Sequence, residues 1–70
     1  MGEVVTIYHE TPLEFVARNG PTLTNEVAFR FSWYVADALR TMKALEAEGK
    51  VKSRRVSFDV GAGYEWTVLR

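Results

Sequence analysis

The sequence predicts an α+β domain of three helices followed by a β-hairpin, with one candidate extra strand at the N-terminus. Three observations predict it. Residues 24–48 hold two stretches of helical apolar spacing separated by a three-residue break. After Gly49 the apolar period changes from helical to alternating, and Gly61-Ala62-Gly63 divides the alternating region in two. Upstream, Gly20-Pro21 ends a shorter helical stretch that begins at a recognisable cap.

Residues 1–10 form an arm in which Val4, Val5, Ile7 and Tyr8 make a short strand of β-branched and aromatic character. Helix 1 occupies residues 11–20. Thr11-Pro12-Leu13-Glu14 is a capping box with proline at the first helical position, and Leu13, Val16 and Ala17 are expected to face inward. Thr24 is the expected cap of helix 2, which runs over residues 25–30 and buries Val27, Ala28 and then Phe31. Glu26 in its first turn suits the positive end of the helix dipole. Helix 3 runs from residue 33 or 34 to 48, with Val35, Ala38, Leu39, Met42 and Leu45 along one face. The hairpin spans residues 50–69, with strands over 51–60 and 64–69 and the glycine-rich triplet as its loop. In the last strand Tyr64, Trp66 and Val68 share one face, the core face expected of Trp66.

Composition sets limits on function. A chain of 70 residues is one domain, residues 1–70, and buries a smaller fraction of its surface than a larger one. There is no cysteine and only one histidine, so no disulfide, metal or other cofactor is expected to supplement that core. Oligomerisation is the remaining staple, and the apolar strand Val4, Val5, Ile7, Tyr8 is the candidate surface for a homodimer. Arg30 and Asp37 interrupt the only long apolar stretch, and no basic segment leads into an apolar one at the N-terminus. The expectation is a soluble cytoplasmic protein with no membrane partner. His9 beside Glu10 has the residue types of acid–base chemistry, but no nucleophile, oxyanion arrangement or phosphate loop accompanies them, so an enzyme is not expected.

The net charge is zero, yet it is unevenly spread. Residues 1–26 carry −3, residues 27–58 carry +4 and residues 59–70 carry −1. Such polarity can orient a small protein on a polyanion. Within the positive part, Lys50, Lys52, Arg54 and Arg55 fall inside six residues with no acid among them.

Glu26-Val27-Ala28, then Ser32-Trp33, then Ala38, Met42, Leu45 and Glu48-Gly49-Lys50-Val51 together resemble the helix-turn-helix of winged-helix regulators of the MarR-like and ArsR-like kind. The resemblance covers residues 11–69 and implies a winged helix-turn-helix in which residues 24–48 are the helix-turn-helix and residues 50–69 the wing. It implies duplex DNA as the partner and a small transcriptional or recombination-associated regulator as the role. The chain departs from the family pattern in three places. Ser32 stands where the turn usually has glycine, so either the turn is distorted or Ser32 caps helix 3. Tyr34, Val35 and Ala36 open helix 3 where small polar residues are common. Lys50 stands where an apolar residue is common and is expected to lay its stem over the sheet edge.

The expected DNA-binding residues follow. On helix 3 the exposed positions include Tyr34, Asp37, Arg40, Thr41 and Lys43. An arginine there can donate two hydrogen bonds to guanine, and a threonine can meet a base edge or a thymine methyl. Asp37 either repels phosphate or accepts from a cytosine amine. On the strand that follows, Lys52, Arg54 and Arg55 are expected to contact phosphates. Trp33 and Tyr34 are adjacent and cannot both point inward, so one of them is a candidate contact residue. The alternative is a protein-docking module of the same fold, favoured by zero net charge, Asp37 and the apolar opening of helix 3.

Overall fold

A computed structural model describes residues 10–59 and 61–69. The strand expected at residues 4–8, and with it the proposed dimer surface, lies outside the described residues.

The elements follow in the order α1 (Pro12–Asn19), β1 (Thr22–Leu23), α2 (Thr24–Phe31), α3 (Val35–Ala47), β2 (Val51–Ser57) and β3 (Ala62–Val68). Three helices pack on one face of an antiparallel sheet of order β1-β3-β2. The α+β architecture is as expected. The third strand is a surprise: residues 22–23 pair with β3, Thr22 opposite Trp66 and Leu23 opposite Glu65. Two residues are too few to show alternation, so nothing in the sequence marks them as a strand.

The α1 box forms as its spacing dictates. Glu14 N–H donates to Thr11 Oγ1 at 3.1 Å and Thr11 N–H to the Glu14 carboxylate at 2.8 Å. Its inward face differs from expectation, because Phe15 and Val16 are buried, Leu13 is half-buried and Ala17 is exposed. The phenylalanine ring covers more apolar area than the alanine methyl, so the helix turns that way.

Thr24 does not cap α2. The cap is Leu23, whose N–H donates to the Glu26 carboxylate at 2.7 Å, while Thr24 lies inside the helix and is buried. Its hydroxyl has a more valuable partner, accepting from the indole Nε1 of Trp66 at 2.7 Å and lying 3.4 Å from the Tyr64 carbonyl. Trp66 is the largest fully buried side chain, so an indole N–H without that oxygen would be an unsatisfied donor in the core. Around it lie Phe15, Val16, Val27, Ala28, Ala38, Met42 and Val51, with Leu39, Leu45, Tyr64 and Val68 packed at the margin.

The connection from α2 to α3 is residues 32–34. Ser32 does not cap helix α3, whose N-cap is Tyr34; it is the C-cap of α2. It takes the left-handed conformation, φ 57° and ψ 42°, and its N–H closes α2 onto the Ala28 and Phe29 carbonyls. A non-glycine residue pays roughly 1–2 kcal/mol there, and it is tolerated because Trp33 N–H is then bonded to the Ala28 carbonyl at 2.9 Å and the Trp33 ring stacks on Phe31 at 5.0 Å. Val35, expected on the core stripe, is 49% exposed at the first position of α3, and the buried face of the helix begins at Ala38.

The hairpin turn is shifted from the glycine triplet. Phe58 N–H donates to the Gly61 carbonyl at 2.9 Å, and Ala62 and Gly63 already belong to β3. Gly61 supplies the positive φ, 88°. Gly63 has a different reason to lack a side chain, since a Cβ there would stand 3.0 Å from the Phe58 ring.

Candidate nucleic-acid interface

Helix α3 packs Ala38 and Met42 into the core, with Leu39 and Leu45 beside them. The 3.6-residue period then sends Ala36, Arg40, Lys43 and Ala47 to the opposite side. Lys43 fixes which flank faces the hairpin: its ammonium lies 4.5 Å from the centre of the Tyr64 ring. Thr41 falls on the other flank and is half-buried. Arg40 is exposed and held by Asp37, Nη1 to Oδ1 at 2.7 Å. The alanines at 36 and 47 leave the two cations unobstructed.

The basic strand is divided by its own pleat. In β2 the residues Val51, Ser53 and Arg55 point to the helix side: Val51 is core, and Ser53 is bonded through N–H and Oγ to the Glu46 carboxylate of α3 at 3.2 and 2.7 Å. Lys52 and Arg54 point to the other face. There Arg54 lies opposite Glu65 in the register and donates to it at 2.8 Å, beside Lys52 and Thr67. Arg55 lies opposite Tyr64, on the same face as Lys43. The expected group of Lys52, Arg54 and Arg55 is therefore not one surface. The cations gathered on the α3 side are Arg40, Lys43 and Arg55. Lys50 does not cover the sheet edge as expected; it is exposed and pairs with Glu48 at 3.2 Å.

At the start of α3 the two aromatics separate. Trp33 stacks on Phe31, and Tyr34, the residue preceding the helix, is 83% exposed with no side-chain cap bond. Tyr34 is thus the aromatic available to a partner.

A second polar group was not legible in the sequence. Glu10, whose side chain is 1% exposed, sits between Arg18 and Arg30, with Arg30 Nη2 at 3.1 Å and Arg18 Nη2 at 3.0 Å. The hydrogen bond from Arg18, then the charges of Arg18 and Arg30, hold its carboxyl below the usual carboxylate range against the opposing effect of burial. The guanidinium of Arg30 also lies 4.9 Å from the centre of the Phe31 ring. Glu10 is thus an anchor for α1 and α2. Its partners are 8 and 20 residues away, so no local motif announces them.

Among the described residues no group of three or more metal-ligating side chains comes together, and no helix is long and apolar enough to cross a membrane. Comparison with known proteins finds no matching family model, no similar curated protein and no similar solved structure.

Proposed function

We propose that this chain is a winged helix-turn-helix domain that binds duplex DNA, with α3 in the major groove and the β2–β3 hairpin as its wing. The observation that carries the reading is the convergence of Arg40, Lys43 and Arg55 on the solvent side of α3 and the adjoining hairpin face, at the edge of two small residues that let a groove approach. The three-residue connection with a left-handed residue at Ser32 supports it, because such a turn is how two helices are joined in this motif. Lys43 and Arg55 neutralise phosphates and Arg40 inspects base edges, whereas Thr41, expected beside it, is half-buried on the other flank. A small regulator of transcription or recombination is the role that fits such a surface.

The test is binding to random-sequence duplex DNA at two salt concentrations, with amide shifts locating the contacts. Shifts concentrated at residues 34–43 and at Arg55, with affinity falling as salt rises, support the proposal. One observation favours a second reading, docking on a protein. Tyr34 and Val35 are exposed at the head of α3, and Asp37 already occupies Arg40. Shifts confined to residues 33–37 with a protein partner, and none with DNA, decide for it.

A further inference from the structure

The described sheet ends on β2, which pairs with β3 along one side only. An antiparallel strand turns the backbone N–H and C=O of successive residues to alternate sides. Even positions of this strand belong to the β3 side, since Leu69 N–H donates to the Lys50 carbonyl at 3.0 Å. Odd positions therefore face outward. Ser53 does so, its N–H donating to the Glu46 carboxylate at 3.2 Å, and Glu46 thereby closes that donor. Beyond it, the Ser53 carbonyl and both backbone groups of Arg55 and Ser57 have no protein partner among the described residues.

The side chains along this edge decide what can pair with it. Lys52, Arg54 and Arg55 are exposed, and among the described residues neither Lys52 nor Arg55 has an acidic partner. A second copy of β2 is a poor occupant. Two-fold pairing centred on Ser53 sets Lys52 opposite Arg54, and pairing centred on Arg54 or Arg55 sets that arginine opposite its own copy. The same cations attract an acidic strand. We propose that the β2 edge binds an extended acidic segment of a protein partner by antiparallel strand addition. Register specifies the order of that segment, because residues directly opposite each other point to the same face. From its N-terminus it carries a polar residue opposite Ser57, an apolar one opposite Val56, acids opposite Arg55 and Arg54, a polar residue opposite Ser53 and an acid opposite Lys52. Arg54 is already bonded to Glu65, so the acids opposite Arg55 and Lys52, one on each face, supply the attraction. Nothing in this depends on DNA binding, since the edge is main chain and Lys52 lies on the face away from α3.

The test uses the full chain and the end-blocked peptide Thr-Val-Glu-Glu-Thr-Glu at up to millimolar concentration. Two variants of the peptide keep its charge: one is N-methylated at the first glutamate, whose N–H donates to the Arg55 carbonyl, the other at the second, whose N–H points away from the edge. The expected result is slower hydrogen exchange at the Arg55 and Ser57 amides, with amide shifts along residues 52–58. The first methylation should weaken binding roughly tenfold or more and the second little. Lys52→Glu should weaken it as well. Equal binding of the two methylated peptides, or unchanged exchange at Arg55 and Ser57, means attraction of charge without strand addition and overturns the proposal. So does absence of binding. A dimer that protects the same two amides without peptide puts a second copy on the edge and overturns it too. Whether the chain binds duplex DNA changes none of these readouts, so the two proposals fail separately.

Discussion

Removing single charges from the two faces of the hairpin gives opposite outcomes if the pleat decides which cations meet DNA. On random duplex DNA, where Arg40 has no preferred guanine, Arg40, Lys43 and Arg55 should neutralise three phosphates, and log affinity should fall with log salt at a slope of roughly −2.7. Between 50 and 200 mM salt that is a loss of about 40-fold. If the whole basic run counted, with Lys52 and Arg54 included, the slope would be roughly −4.5 and the loss about 500-fold. The structure favours the smaller figure because Lys52 and Arg54 lie on the far face, where Arg54 is bonded to Glu65 at 2.8 Å. Arg55→Ala should reduce the slope to roughly −1.8 and weaken every sequence alike. Lys52→Ala should leave the slope unchanged. The assay is fluorescence anisotropy of a labelled duplex across a salt series, with each variant's fold verified by circular dichroism. A slope near −4.5, or equal losses from Lys52→Ala and Arg55→Ala, would refute the division of the strand.

Other substitutions test the fold and the reading face. Thr24→Val leaves the Trp66 indole N–H without its partner and should cost about 1–3 kcal/mol in urea denaturation, whereas Thr24→Ser keeps the oxygen and should cost less; equal losses would remove the hydrogen bond from the account. Ser32→Gly relieves a left-handed residue and should stabilise the domain by about 0.5–1 kcal/mol net of the extra chain freedom, read as a raised thermal midpoint. Glu10 is held below its usual pKa of 4.5, so its ion pairs stabilise the fold above that pH and fade as pH falls through the lowered value. Glu10→Gln should therefore be less stable than the parent at pH 7, with the gap closing in acid; a gap independent of pH would mean the charge is immaterial. Arg40→Ala should cost about 1–3 kcal/mol on a preferred DNA site and far less on random DNA, while Asp37→Ala should raise non-specific affinity; if neither changes binding to any duplex, α3 is not in the groove.

Local signals were legible and distant ones were not. The Thr11–Glu14 box, the three-residue break and the stripe of Ala38, Leu39, Met42 and Leu45 all depend on residues within a few positions of one another. They appear as expected apart from Val35, the first member of that stripe, which is exposed. Thr24 has the residue type of a cap, but its hydroxyl is claimed by Trp66, 42 residues away, and no spacing rule anticipates that competition. Glu10 looked like half of an acid–base pair with His9 because its partners, Arg18 and Arg30, become neighbours only when α1 packs on α2. Two glycines in a triplet suggest a loop, whereas Gly63 lies in β3 with the Phe58 ring 3.0 Å from where a Cβ would stand.

The basic run shows that a signal can be present in a sequence and still be read at the wrong level. As composition, Lys52, Arg54 and Arg55 form one cluster; as a strand, they are even and odd positions, and alternation alone sends two to one face and one to the other. Glu65 belongs to the same logic, because its register opposite Arg54 neutralises the far face rather than the helix side. The residue left beside Tyr64 is Arg55, and Lys43 already lies over that ring from α3. A cationic surface on this fold is therefore defined by the sheet's pleat and the helix's period acting together. It includes fewer residues than the charge count suggests, and one of them, Lys43, stands one helical turn from Arg40, the one arginine of α3.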